Sequence, residues 1–362
     1  MVTLPDPDTL LVMMLVTERC PLNCGYCEMQ RSGEDMPLEL AVQVMEHLDR
    51  LLPAERPILF VWHGGEPLLR GVEFFRRIHE LQAPLRSRRR IQNILQTNGL
   101  LLDEAWFDFI QASGDFRPNL SMDGPVSAAT RGVAAEAYDG IFAALRARAI
   151  EFGIAVVGSP ELLDQRDEAL RWFEARGLSV VGMTPYQVCG AAPGSLPSPQ
   201  LLADLSLDGQ GRGTLLGAAI LEGMREQHLC GSCRLSSFLD GCHRHVLCVD
   251  SRGDLFTCLR GKWSGLWTWG NVANGGLETW FSACAGPPPF RPTLPAACEP
   301  CAWKARCGGG CPSNAKAMNG GADQPDYYCD SFQRMFAAQE IQLLEEALTQ
   351  VEAARGTGPS RH

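Results

Sequence analysis

The chain has 362 residues, 45% of them hydrophobic, enough for one barrel-sized domain plus a smaller one, and no apolar run is long enough to cross a membrane. A formal charge of −10 speaks against nucleic acid as a partner, because binding phosphates needs a basic face. Residues 1–10 lack the basic start and long apolar core of a signal peptide, so the expected compartment is a reducing cytoplasm. There the 15 cysteines are metal-binding or catalytic rather than bridged.

Residues 10–16 are an apolar run rich in Leu, Val and Met, which predicts a strand buried on both faces. It delivers the chain to Cys20-Pro21-Leu22-Asn23-Cys24-Gly25-Tyr26-Cys27, where a loop, but not a regular helix, can point three sulfurs at one centre. Three thiolates suit a four-iron, four-sulfur cluster with one iron left free to hold a substrate. Structural zinc would need a fourth ligand, and none stands nearby. Helical spacing over residues 37–52 leads to a second strand run at 57–62 and then to Trp62-His63-Gly64-Gly65-Glu66-Pro67. The paired glycines let backbone approach a ligand closely, and Glu66 supplies a carboxylate for a cationic group. On turn chemistry alone the same residues read as a plain turn. His63 reads as a hydrogen-bonding support rather than a proton shuttle.

The alternation continues with helix 72–81 and strand 91–96, helix 103–111 and a strand ending at 119–121, helix 134–149 and strand 153–157, helix 161–175 and strand 179–183. Six strand–helix turns in succession predict parallel strands with right-handed crossovers, in an open sheet or a barrel. Gln96-Thr97-Asn98-Gly99 and Ser121-Met122-Asp123-Gly124-Pro125 follow the third and fourth strands, at the edge where parallel sheets bind ligands. Each also reads as a simple strand-to-helix turn. Arg131 is a candidate to pair with a ligand carboxylate, or else a surface arginine. Arg88-Arg89-Arg90 reads as a solvated face.

Residues 190–210 are rich in Pro, Gly and Ser and read as a break between domains, followed by a helix over 214–226. Next come Cys242-x10-Gly253-x4-Cys258, Cys298-x2-Cys301-x5-Cys307-x3-Cys311 and Cys329. Residues 249–257 predict a hairpin whose turn at Gly253 brings Cys242 and Cys258 together. The Pro-rich stretch 287–295 spaces the cysteine groups semi-rigidly. Cys248, in the strand-like run 245–249, reads as a buried free thiol. Cys189 and Cys284 have no partner by spacing. Phe332, Met335, Phe336, Ile341, Leu344, Leu348 and Val351 outline an amphipathic helix packing back on the barrel, ahead of a frayed tail at 356–362.

The spacing Cys-x3-Cys-x2-Cys, with an aromatic before the third cysteine, resembles the signature of the radical S-adenosylmethionine (SAM) superfamily. The C-terminal cysteine array is similar to the SPASM domain. The resemblance implies an α/β fold with a partial (β/α)6 barrel at 1–189, a bridging segment at 190–229, a SPASM auxiliary-cluster domain at 230–330 and a C-terminal helix and tail at 331–362. It further implies that Cys20, Cys24 and Cys27 hold a cluster whose open iron chelates SAM. Tyr26 would neighbour the adenine, while Gly64, Gly65, Glu66 and Pro67 would hold the methionine amino group. Thr97, Asn98, Ser121 and Asp123 would lie against the adenosine, with Arg131 at the SAM carboxylate. Following the family, one auxiliary cluster takes Cys298, Cys301, Cys307 and Cys329. The other takes Cys242, Cys258, Cys311 and an upstream cysteine, with Cys233 preferred to Cys230 or Cys248. That makes three [4Fe-4S] clusters.

The resemblance also implies a function: oxidative modification of a ribosomally made peptide or protein through a 5'-deoxyadenosyl radical, with a carbon–carbon or thioether crosslink as product. A flavodoxin or ferredoxin would supply electrons. Fewer than ten residues precede the first strand, which leaves no room for a leading peptide-binding domain. A leader peptide would then be held by the barrel and SPASM surfaces or by a separate recognition protein. The nearest rival is anaerobic sulfatase maturation, the oxidation of serine or cysteine to formylglycine. Those enzymes carry an aspartate base directly after the cysteine matching Cys258, where this chain has Leu259, so Asp240, Asp250 or Asp254 would have to serve. A small-molecule radical SAM dehydrogenase or epimerase is a further rival, and a non-catalytic iron–sulfur carrier or zinc scaffold would represent a different class altogether.

Overall fold

Hydrogen bonding joins nine strands into one sheet in a computed structural model that describes residues 8–29, 31–189, 195–230, 242–286 and 291–356. Strands β1 (Leu10–Thr17), β2 (Ile58–Gly64), β3 (Ile91–Thr97), β4 (Phe116–Ser121), β5 (Gly153–Gly158) and β6 (Val180–Pro185) run parallel, each beside its neighbour in sequence. A parallel pair cannot be closed by a tight turn. Helices Leu38–Leu51, Val72–Leu81, Glu104–Ser113, Asp139–Ala147 and Arg166–Ala175 therefore fill the crossovers. On the other side of β1 the sheet continues through β7 (Val246–Val249), which is parallel to β1, and through β8 (Asp254–Phe256) and β9 (Thr268–Asn271), which are antiparallel.

The helix-facing side of the sheet is closely packed. Phe75 is fully buried, with its ring 5.8 Å from Trp62, 5.4 Å from Trp106 and 6.1 Å from Phe116. Removing such a ring costs about 3–5 kcal/mol. Within this layer Trp62 Nε1 donates to Asn93 Oδ1 at 2.8 Å, so the indole brings no unpaired donor into the core. The expectation that β1 is buried on both faces does not hold. Its burial alternates at the start, and Leu11 and Met13 line a hollow together with Val61, His63, Gln96 and Ser121. The twofold period of a strand puts the packed residues on one face and the hollow on the other.

The expected helix over 134–149 divides into a 3-10 turn, Ala135–Tyr138, and the α-helix Asp139–Ala147; that over 161–175 breaks at Gln165. Inside the expected break at 190–210 lies the helix Leu201–Ser206, whose Leu201, Leu202, Ala203 and Leu205 are buried. Four apolar residues in so short a span outweigh the surrounding Pro and Gly. The last helix, Cys329–Gly356, buries Phe332, Met335 and Phe336 but leaves Ile341, Leu344 and Leu348 exposed, so the expected packing stops short of those three, and the side chain of Val351 lies outside the described residues. No helix among the described residues is long and apolar enough to cross a membrane.

Candidate active site

The hollow opens at the C-terminal ends of the parallel strands into a cavity of about 590 Å³. Cys20, Cys24, Tyr26 and Cys27 line one side of it, and Cys242, Cys258 and Cys311 another. The structure therefore gathers two cysteine groups, far apart in sequence, around a single space.

The segment after β2 is stitched to the exit of β1. Gly65 N–H donates to Thr17 O and Glu66 N–H to Arg19 O, both at 2.8 Å. Gly64 has φ +123°, and a Cβ there would sit 2.1 Å from Thr17 O; one on Gly65 would sit 2.2 Å from Arg19 O. No side chain fits either place, so the glycines answer first to neighbouring backbone. Glu66 is fully buried. Its Oε1 accepts from Thr97 Oγ1 at 2.6 Å and Leu68 N–H at 3.0 Å, and its Oε2 from Asn98 N–H at 2.8 Å. Burial raises the Glu66 pKa, and these hydrogen bonds oppose the rise. Glu66 and Thr97 tie the exits of β2 and β3 together, and neither they nor Pro67 line the cavity; Gly64, Gly65 and Asn98 do line it. Asn98 Nδ2 has no partner among the described residues.

Asp123 is the centre of a second network. It accepts from Tyr26 OH at 2.5 Å, Thr130 Oγ1 at 2.8 Å, Val157 N–H at 2.9 Å, and Arg131 through Nε at 2.9 Å and Nη2 at 3.2 Å. Five donors leave this carboxylate committed to the protein itself. Burial raises the Tyr26 pKa well above the ordinary tyrosine value, with Asp123 adding to the effect. For Arg131, burial works against the charge, but Asp123 outweighs it and the pKa rises. Arg131 and Ser121 remain in the cavity wall, Ser121 accepting from Gln96 Nε2 at 2.7 Å. Gly25 N–H donates to Thr130 O at 2.8 Å, which pins the cysteine loop to the same network.

Burial raises the pKa of Cys20 and Cys24, and each feels the charge of Cys27. Beyond the barrel, Cys258 is pushed up to about 11 by burial and then by Cys311, while Cys242 feels both. Cys298, Cys301, Cys307 and Cys329 form a separate group of mutually interacting thiols. The loop between them is folded around buried Arg291, which donates to the carbonyls of Gly309, Gly310, Ala322 and Gln324 at 2.7–3.0 Å. Cys233 lies outside the described residues, as does the side chain of Cys230. Cys248 is fully buried against Leu15 and Phe256, within electrostatic reach of Cys258. Among the described residues no three Cys, His, Asp or Glu side chains converge on a single-ion site. What fits these groups to iron–sulfur clusters is donor chemistry: soft sulfur ligands, gathered in sets.

Of the carboxylates expected to replace an acid at position 259, Asp240 lies outside the described residues. Asp250 is buried and held by Lys262 Nζ at 2.8 Å, Asp254 accepts from Asn271 Nδ2 at 2.9 Å, and neither lines the cavity. The carboxylates that do are Glu18 and Glu28. Glu18 is held by Lys262 at 3.0 Å and by Ser32. Glu28 accepts from the Cys189 thiol at 3.3 Å. Glu28, Gln187 and Arg260 are cavity residues that sequence reasoning missed. The available signal was positional: Glu28 directly follows Cys27, and Gln187 stands just past the sixth strand.

The Radical SAM superfamily profile matches residues 14–173. The cysteine-type anaerobic sulfatase-maturating enzyme of Clostridium perfringens is 24% identical over 360 residues, covering 91% of this chain and 96% of that protein. The solved structure of anSMEcpe with bound AdoMet and Cp18Cys peptide matches with a TM-score of 0.78 at 22% identity, covering 94% of this chain and 99% of that one. Streptococcus suis SuiB bound to its precursor peptide SuiA matches with a TM-score of 0.63 at 17% identity, covering 88% and 75%. The fold is thus that of SPASM-type radical SAM enzymes, a partial barrel with a cysteine-rich C-terminal part. The expected carbon–carbon or thioether crosslink is overturned by these matches, because the relative aligned along nearly its whole length is a sulfatase-maturating enzyme.

Proposed function

From a chain that carries a radical SAM domain, we propose an enzyme that oxidises a cysteine or serine side chain of a protein substrate to formylglycine. The observation that carries this reading is the match along 96% of a sulfatase-maturating enzyme. In it, Cys20, Cys24 and Cys27 hold the SAM-binding cluster. Cys298, Cys301, Cys307 and Cys329 hold one auxiliary cluster, and Cys242, Cys258 and Cys311 with Cys233 the other. The barrel at 1–189, bridge at 190–229, cluster domain at 230–330 and C-terminal helix and tail at 331–362 divide the chain accordingly.

When bound, the cluster and SAM together supply abstraction of one hydrogen atom, driven by an electron from a flavodoxin- or ferredoxin-type donor. The protein's own residues do the rest. Tyr26, Asp123 and Arg131 lock the cysteine loop against the exits of β4 and β5, and Asn98, Ser121 and Arg131 present polar groups to SAM. Apolar Leu11, Met13 and Val61 keep water from the hollow. Atoms balance when the side-chain carbon loses a hydrogen atom, its hydroxyl or thiol gives a proton to a carboxylate of the cavity wall, Glu18 or Glu28, and the remaining electron is taken up by the redox chemistry that an auxiliary cluster on the C-terminal cysteines would supply. Serine yields the aldehyde directly, and cysteine yields a thioaldehyde that water converts to the aldehyde with release of hydrogen sulfide.

The test is anaerobic incubation of the reconstituted enzyme with SAM, a reductant and a synthetic peptide spanning the modified cysteine or serine of a sulfatase. A hydrazide-reactive aldehyde at that residue is the expected product. SAM cleavage that leaves the peptide unchanged, or gives a product unreactive to hydrazide, would refute the reading.

A further inference from the structure

We propose that Gln187 is a substrate-positioning residue whose side-chain amide holds a main-chain carbonyl of the peptide, an inference that rests on the protein-modifying reading above. Gln187 stands two residues beyond the end of β6, is 5% exposed and lines the cavity. Its Oε1 shares the single Cys189 S–H with Glu28 Oε2, each 3.3 Å from the sulfur. This leaves the amide nitrogen, Nε2, buried and without a partner among the described residues. Folded proteins pair nearly all such donors, and one left unpaired in a cavity wall is open to an acceptor that enters the cavity.

The backbone around Gln187 is not free to swing the amide elsewhere. Pro185 O accepts from Arg260 Nη2 at 3.3 Å and Tyr186 O from Tyr328 OH at 2.6 Å, so residues of the C-terminal part clamp the exit of β6. Thr257, brought from the far side of the sheet just after β8, also lines the cavity, 2% exposed and with its hydroxyl unpartnered among the described residues. Apolar Leu259, two residues further along the chain, lines the same cavity. An extended peptide offers the matching groups: a carbonyl for the amide and an N–H for the hydroxyl, with its side chain on the apolar surface. SAM is not the match. The cavity residues assigned to it come from the exits of β1 to β4 and from Arg131, whereas Gln187 and Thr257 come from β6 and β8.

The experiment measures peptide affinity by fluorescence anisotropy in the reconstituted holoenzyme with SAM bound, using the labelled sulfatase peptide. Gln187→Leu should weaken peptide binding about 10-fold, the worth of one buried hydrogen bond, with iron content and SAM affinity kept. Peptides in which successive amides are replaced by esters, whose carbonyls accept more weakly, then locate the contact. One ester should weaken binding to the wild type but not to Gln187→Leu. Gln187→Met, which keeps the length of the side chain, serves if the leucine variant loses iron. Wild-type affinity in the variant, or equal ester effects in both proteins, overturns the proposal while leaving the formylglycine reading intact. A wild-type enzyme that binds no such peptide would sink both.

Discussion

The two sides of the cavity differ in what completes them. On the barrel side the two buried carboxylates are satisfied by the protein itself, Glu66 taking three donors and Asp123 five, and Asn98 Nδ2 is the exception, without a partner among the described residues. On the side shared by the exit of β6 and the C-terminal part, Gln187 Nε2 and Thr257 Oγ1 are buried without partners among the described residues. A site wired internally holds its shape before any ligand arrives. One with spare donors takes its final form from what it binds. The first arrangement suits a cofactor that must be placed the same way in every turnover. The second suits a substrate that must enter and leave.

Substitutions can break this contrast. Asp123→Asn removes the charge that pairs Arg131, 7% exposed, in a network that also anchors Tyr26. It should cost about 3–5 kcal/mol in denaturant unfolding, because a buried guanidinium is left uncompensated. An effect below about 1 kcal/mol would mean that the barrel side is not wired as described. Thr257→Val, by contrast, removes a buried hydroxyl that has no described partner. It should change stability by less than about 1 kcal/mol, or raise it slightly, since no protein hydrogen bond is lost. A loss comparable with that of Asp123→Asn would show that Thr257 is already paired and that the two sides do not differ.

Much of this architecture was legible in the sequence, and the failures have physical causes. Buried apolar runs alternating with helical spacing located all six barrel strands. The cysteine spacing picked out Cys20, Cys24 and Cys27 and, among the later cysteines, Cys242, Cys258 and Cys311, which the fold brings to one cavity. The glycine pair does line the cavity, but neighbouring backbone at Thr17 and Arg19 is what excludes a Cβ there. Residues 11 and 13 read as core because Leu and Met are apolar whether they face helices or a hollow. Strand β9, four residues long and ending in glycine and asparagine, carries too little pattern to be recognised. Gln187 and Glu28 were invisible for a different reason. A single polar residue past a strand or a cysteine gains meaning only from what the fold sets beside it.

The central claim is that Cys20, Cys24 and Cys27 leave one iron open for SAM, apart from the C-terminal cysteines. It is tested most directly by replacing all three with alanine and measuring iron content and SAM cleavage after anaerobic reconstitution. The wild type should hold about twelve irons per chain and release 5'-deoxyadenosine, whereas the triple variant should keep about eight and release none. Continued cleavage by the triple variant, or zinc in place of iron in the wild type, would contradict it.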